Sequence, residues 1–297
     1  MAVNFATIDK LIEEGFLMDS RFNSPAEIAS LVSKSGVTKS MLSLPKMILL
    51  GLMAGAFIAF GGAASDVAMH GVADVGLARV VAGVIFPVGL MLVVFTGSEL
   101  FTGNCLMIIP TLEKKIKVAS MLRNLVVVYI SNFVGAMIID LLITFSGQLN
   151  YSNGGLGAFT IKVALAKTTI NPATAIISGV LCNILVCLAI VMATGATDAI
   201  GKIFGVFFPI CAFVVCGFEH CVANMFYIPT GVMAAMNPEY VAKAQELYGI
   251  TEQQCQNLAN LSGCESLLFV TIGNIIGGMI FVGLPLYFAY IRKKKSA

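Results

Sequence analysis

The chain has 297 residues, of which 58% carry hydrophobic side chains and only 11% are charged, for a formal net charge of +2. Soluble domains average roughly 45–50% apolar and about 25% charged residues, so this composition excludes an ordinary soluble domain and fits helices packed in lipid. The small net charge, with no basic stripe interleaved with aromatics, argues against a nucleic-acid partner.

Residues 1–40 hold Asp9, Glu13, Glu14, Asp19 and Arg21 and no apolar core before Leu44, so no signal-peptide pattern is expected there. Ile8, Leu11, Ile12 and Phe16 fall at helical spacing. They predict a short amphipathic helix at the membrane surface or against a neighbouring subunit, with a solvated tail as the alternative for the first few residues. A membrane-crossing helix needs roughly 20 consecutive apolar residues. Six runs meet that need, near 45–64, 80–109, 118–146, 173–195, 203–235 and 267–290. Strand-like alternation is absent, which excludes a barrel. The second and fifth runs are too long for one simple span, and each contains a break. Asn171-Pro172-Ala173 reads as a helix start with Pro near the first turn. Residues 236–266, with Asn237, Glu239, Lys243, Glu246 and Glu252, form a polar, helix-compatible outer insertion. The expected organisation is an amphipathic cytoplasmic segment over 1–40, a six-helix transmembrane domain over 41–291 and a basic tail over 292–297. Fourteen of the 18 basic residues fall on one side if both termini are cytoplasmic, leaving Arg79, Lys162, Lys167 and Lys243 outside. That bias predicts both termini on the cytoplasmic face of the cell (inner) membrane.

An internal repeat organises these spans. Gly97-Ser-Glu99-Leu-Phe-Thr-Gly-Asn104 recurs as Gly217-Phe-Glu219-His-Cys-Val-Ala-Asn224, each after a Val-Val pair and before Ile-Pro-Thr. Asn132-Phe-Val-Gly135 in the third run is echoed by Asn274-Ile-Ile-Gly277 in the sixth. The unit is three spans, about 44–146 and 173–290. An odd number of crossings makes the second copy inverted. Both motifs sit inside overlong runs, where Gly permits non-helical backbone and Glu or Asn can bond the freed groups. Such backbone is tolerated at membrane depth only where protein or a water-filled cavity surrounds it. The second and fifth helices are therefore expected to be broken at mid-membrane, with the N-terminal ends of their second halves, each carrying about half a positive charge, aimed at the centre. Gly97, Glu99, Asn104, Gly217, Glu219 and Asn224 are assigned to holding the breaks. A carboxylate beside an anion path would repel the anion.

The eight cysteines follow no metal spacing, and no cofactor motif is present. Cys255 and Cys264 share the outer insertion, where a disulfide is compatible with an oxidising face. Of two histidines, His70 reads as a loop residue, whereas His220 lies in the second break. Ionisable groups inside membranes are rare and mark ion or proton paths. An intramembrane enzyme is not expected: Asp140 is the only Asp in the third run, and neither H-E-x-x-H nor G-x-S-x-G occurs.

Leu100-Phe101-Thr102-Gly103-Asn104, Gly217-Phe218-Glu219-His220 with Ala223-Asn224-Met225, and Leu181-Cys182-Asn183-Ile184-Leu185-Val186-Cys187-Leu188-Ala189 resemble the signatures of the formate/nitrite transporter family, over roughly residues 40–290. The resemblance implies an all-α, aquaporin-like six-helix protomer in the lipid bilayer, assembled as a homopentamer with one pore per subunit. It implies passage of small monovalent anions or their conjugate acids: formate, nitrite, hydrosulfide, acetate or lactate. It also implies that His220 is the central pore histidine and Thr102 its hydrogen-bonding threonine. Lys167 then corresponds to the vestibule lysine and Asn183 to the asparagine lining that route. Phe86, Leu90 and Phe213 fall at the apolar constrictions on either side of the histidine, and Leu100 and Phe101 in the loop that gates the cytoplasmic slit. Two departures stand out: Gly103-Asn104 replaces the Ser-Thr of some formate channels, and the 236–266 segment is long for the family.

Moving a bare monovalent anion into low dielectric costs on the order of 20 kcal/mol in the idealised Born limit. Half-helix dipoles return only about 1–2 kcal/mol each. Either a protonated His220 pairs with the anion, or a proton joins the substrate and the neutral acid passes; the second is preferred here. His220 then supplies, relays or stabilises the proton. A neutral-solute pore of aquaporin type is the alternative from another class, although Asn-Pro-Ala occurs only once and not in a break.

Overall fold

The computed structural model describes residues 22–292. The Ile8–Phe16 pattern and residues 293–297 of the basic tail lie outside the described residues. Within them the chain is all helical, apart from a single antiparallel bridge between Phe22 and Ala196.

Helix α1 spans Pro25–Ser40. It starts on a capping box, in which Ser24 accepts from the Glu27 amide and the Glu27 side chain accepts from the Ser24 amide. Then follow α2 (Leu44–Met69), α3 (Val75–Thr96, jogged at Phe86-Pro87), α4 (Phe101–Leu112) and α5 (Val118–Phe145). The second half contains α6 (Gly155–Thr168), α7 (Pro172–Gly195), α8 (Ala199–Cys216), α9 (Cys221–Ala235), α10 (Pro238–Tyr248), α11 (Glu252–Ala259) and α12 (Ser266–Ile291). Six of these, α2, α3, α5, α7, α8 and α12, are long and apolar enough to cross a membrane. Helices α4 and α9 are shorter apolar helices. At about 1.5 Å per residue they cannot span about 30 Å of hydrocarbon.

Several details depart from the sequence reading. Residues 155–168, between the third and fourth runs, form a helix, so Lys162 and Lys167 sit on α6. Helix α2 continues past the end of its apolar run to Met69, drawing Ser65 and Asp66 into the buried interior. The insertion is two helices, α10 and α11, capped by Asn237 and Thr251. Cys255 and Cys264 are both free thiols, so no disulfide links them. His70 is not a free loop residue. It ends α2, with Nδ1 2.7 Å from Val67 O and Nε2 2.8 Å from Ser152 Oγ. Asn171 does cap α7, accepting from the Ala173 amide with Pro172 in the first turn.

Close backbone contact fixes the helix pairs. A Cβ on Gly135 would run into the Leu52 carbonyl of α2, and one on Gly277 into the Val180 carbonyl of α7. Small residues at such contacts let helices approach where lipid supplies no hydrophobic drive. The α2–α5 pair thus has a counterpart in α7–α12. Large apolar side chains such as Phe60, Phe145, Ile177 and Phe208 remain exposed on the outside of the single protomer.

Candidate functional site

Two interruptions meet in the interior. Helix α3 ends at Gly97 (φ +67°) and α8 at Gly217 (φ +72°), both in the left-handed region that only glycine enters without steric cost. The chain then runs extended through Leu100 and His220 and restarts as α4 and α9. The exposed backbone is stapled by one asparagine on each side. Asn132 donates to Gly51 O (2.8 Å) and Glu99 O (2.9 Å) and accepts from the Phe101 amide (2.9 Å). Asn274 does the same with Gly179 O (2.8 Å), Glu219 O (3.0 Å) and the Cys221 amide (2.9 Å). Buried backbone groups must be paired somewhere, and these two amides pair three each.

The carboxylates are similarly matched. Glu99 accepts from Asn104 Nδ2 at 2.7 Å and from Lys39 Nζ at 2.6 Å, with Asn124 closing the cluster. Glu219 accepts from Asn224 Nδ2 at 2.7 Å and from Lys167 Nζ at 3.0 Å. Lys167 also lies over the Tyr227 ring, 5.2 Å from its centroid. The lysine expected to attract an anion is therefore engaged by a carboxylate.

The two interruptions diverge at the cap position. Where the first has Leu100, the second has His220, 3% exposed, which caps α9 by accepting the Ala223 amide on Nδ1 at 3.0 Å. An accepting Nδ1 carries no proton, so the ring hydrogen is on Nε2 and is donated to Thr102 Oγ1, 3.0 Å away on α4. Thr102 is itself held from behind: its carbonyl accepts from Asn183 Nδ2 (3.2 Å) and Cys187 Sγ (3.5 Å).

A cavity of about 310 Å³ runs from a mouth at Ala73, Val75 and Lys162 down to His220. It lies on the face opposite α1, and its floor is apolar. Phe86 and Phe213 meet edge to face with centroids 5.6 Å apart, and Phe213 stacks on the His220 ring at 5.9 Å. Lys167, Glu219, Asn224 and Gly217 also line it. The remaining expected site residues sit elsewhere. Asn183 is wholly buried and does not line the cavity. Its amide donates to the Thr102 and Asn274 carbonyls. Thr102, Leu90, Leu100 and Phe101 are buried beyond the cavity floor, with Phe101 packed edge on against Tyr129 at 4.8 Å.

Sequence reasoning missed Lys39 and Asn124, which complete the first cluster, and Arg79, whose guanidinium lies against Gly217. It also missed Asp66 and Tyr227 in the cavity wall. A basic residue paired with each break glutamate was the signal available for Lys39, since Lys167 had already been singled out. Among the described residues no group of three or more His, Cys, Asp or Glu side chains is placed to hold a metal ion.

Comparison with known proteins gives a consistent picture. The family model described as Formate/nitrite transporter matches residues 26–288. A "Probable formate transporter" of Methanothermobacter thermautotrophicus is 40% identical over 294 residues, covering 93% of this chain and 100% of that protein. The "Formate channel FocA" of Escherichia coli (strain K12) is 32% identical over 91% of this chain and 95% of its own length. A solved "Pentameric formate channel with formate bound" superposes with a TM-score of 0.74 at 31% identity, covering 84% of this chain and 98% of that one.

Proposed function

The chain belongs to the formate/nitrite transporter family, and from that premise we propose that it carries small monovalent anions, formate first, by proton-linked permeation. It is a membrane transport protein and not an enzyme. We place it in the cell (inner) membrane as a homopentamer with a pore through each protomer. Its α1 face is cytoplasmic, in keeping with the fourteen basic residues assigned to that side. The protomer is read as an inverted 3+3 repeat of aquaporin-like form, broken at mid-membrane in its second and fifth spans. The matched Gly97 and Gly217 turns and the matched Asn132 and Asn274 staples support that reading.

The observation that carries the function is the floor of the vestibule. Phe86 and Phe213 meet in the vestibule wall, and His220, which lines the same cavity, reaches across to Thr102, joining the two interruptions. An anion gains little from the helix ends here. The first amide of α9 is taken by Asn274 and the third by His220 itself. With the Born cost on the order of 20 kcal/mol, the charge must be cancelled before the phenylalanines are passed. Arg79, Lys162 and the Lys167–Glu219 pair gather and orient the anion at the mouth, and the neutral acid crosses. Of the three roles open to His220, the cap favours stabilisation: the neutral ring offers one hydrogen, on Nε2, for a hydrogen bond to a passing oxygen in place of Thr102.

The test is a flux panel in proteoliposomes with formate, nitrite, hydrosulfide, acetate and lactate at two pH values, and glycerol as the neutral control. Formate is expected to enter fastest, and faster at the lower pH, with glycerol excluded. Glycerol flux without anion flux would instead assign a neutral-solute pore.

A further inference from the structure

The vestibule contains an acid that the permeation scheme above leaves unused. Asp66 lines the cavity on the last turn of α2, yet it is only 5% exposed. Its Oδ2 is shielded from solvent and has no hydrogen-bond partner, and among the described residues nothing forms an ion pair with it. Lys167, a cation of the same cavity, is occupied by Glu219. An ionised carboxylate there would lose its hydration without replacement, whereas a neutral carboxyl leaves one O–H to direct at an occupant of the cavity.

We propose that Asp66 is the proton-holding residue of the vestibule, which hydrogen-bonds an incoming carboxylate anion and hands it the proton that lets it pass as the neutral acid. The inference rests on the proton-linked reading of the same site. In the step, the Asp66 O–H bond breaks and an O–H bond forms on the substrate carboxylate. The neutral acid moves on past Phe86 and Phe213, and the Asp66 carboxylate takes a proton from water entering at the mouth.

The groups around it fit this assignment. Arg79 on α3 and Lys162 on α6 line the same cavity, are exposed and form no ion pair among the described residues. Lys167 and Glu219 cancel each other. Tyr227 on α9 is a phenol, whose ordinary pKa of about 10 makes it a poor donor to a carboxylate. His70, at the end of the same helix, is turned to Val67 and Ser152. His220, which also lines the cavity, holds its one hydrogen against Thr102. Asp66 is the one carboxyl in this wall without a partner.

Formate entry and internal acidification are measured together in proteoliposomes across external pH, for wild type and Asp66→Asn. The asparagine keeps the shape and has no proton to give. The variant is expected to lose about a hundredfold of formate entry at neutral pH, the scale of a lost general acid. Asp66→Ser serves if the amide does not assemble. The infrared carbonyl band of a protonated carboxyl, present in wild type and lost in either variant, is the second readout. A variant whose formate–pH profile superimposes on wild type, or that removes no such band, overturns the assignment. Wild-type formate entry without acidification would instead overturn the proton-linked reading, whatever Asp66 does.

Discussion

The two interruptions are built on one plan and carry different chemistry. Each has a left-handed glycine, a glutamate tied to the asparagine five residues on, a lysine on that glutamate and an asparagine staple from a neighbouring helix. At the cap position the first has Leu100 and the second His220. The scaffold thus occurs twice, and only one copy carries an imidazole ring at its cap. What is shared answers to backbone hydrogen bonding; what is unshared is where the proposed function places the permeating species.

That contrast can be broken most forcefully at the staples. Asn274→Ala removes three buried hydrogen bonds and is expected to cost about 3 kcal/mol. Thermal unfolding of the purified assembly should show a comparable loss for Asn132→Ala, and a large inequality would mean that the two breaks are not equivalent supports. His220→Asn comes next. Asparagine is a good helix cap, so the unfolding temperature should hardly move, while the pH dependence and selectivity of flux change. Unchanged flux at every pH would remove the ring from the mechanism. Lys167→Ala should reduce uptake at low formate concentration severalfold, whereas Lys39→Ala, on the cluster outside the vestibule, should leave uptake alone and lower stability. The smallest effect sharpens the glycine comparison. Gly97→Ala meets nothing within 4 Å and is expected to cost about 1–2 kcal/mol for its positive φ. Gly217→Ala adds a contact 3.2 Å from Arg79 Nη1 and should cost more in the same melt.

Much of this plan was legible before any coordinates, because spans and breaks are local properties of the chain. Apolar runs longer than about 20 residues mark crossings, and the Gly-x-Glu-x-x-x-x-Asn spacing marks the two turns. The reach of side chains between elements was not legible. Lys39 and Glu99 are 60 positions apart, and Lys167 and Glu219 are 52. Nothing in composition says that these charges neutralise one another. Asn183 sits in a motif read as vestibule lining, yet its amide is consumed by two carbonyls brought together only by packing. Asp66 went unnoticed because the apolar run fades before it, whereas α2 runs on three residues past it to Met69 and keeps it inside. Helix α6 escaped notice because its 14 residues are too few to read as a crossing.

The vestibule has its mouth at Ala73, Val75 and Lys162, and this has a consequence for pharmacology. On the proposed function, traffic in both directions uses that doorway. An impermeant molecule shaped to cork that doorway would arrest import and export alike when added on that side. Supplied on the other side, it would meet the buried Leu100 and Phe101 instead.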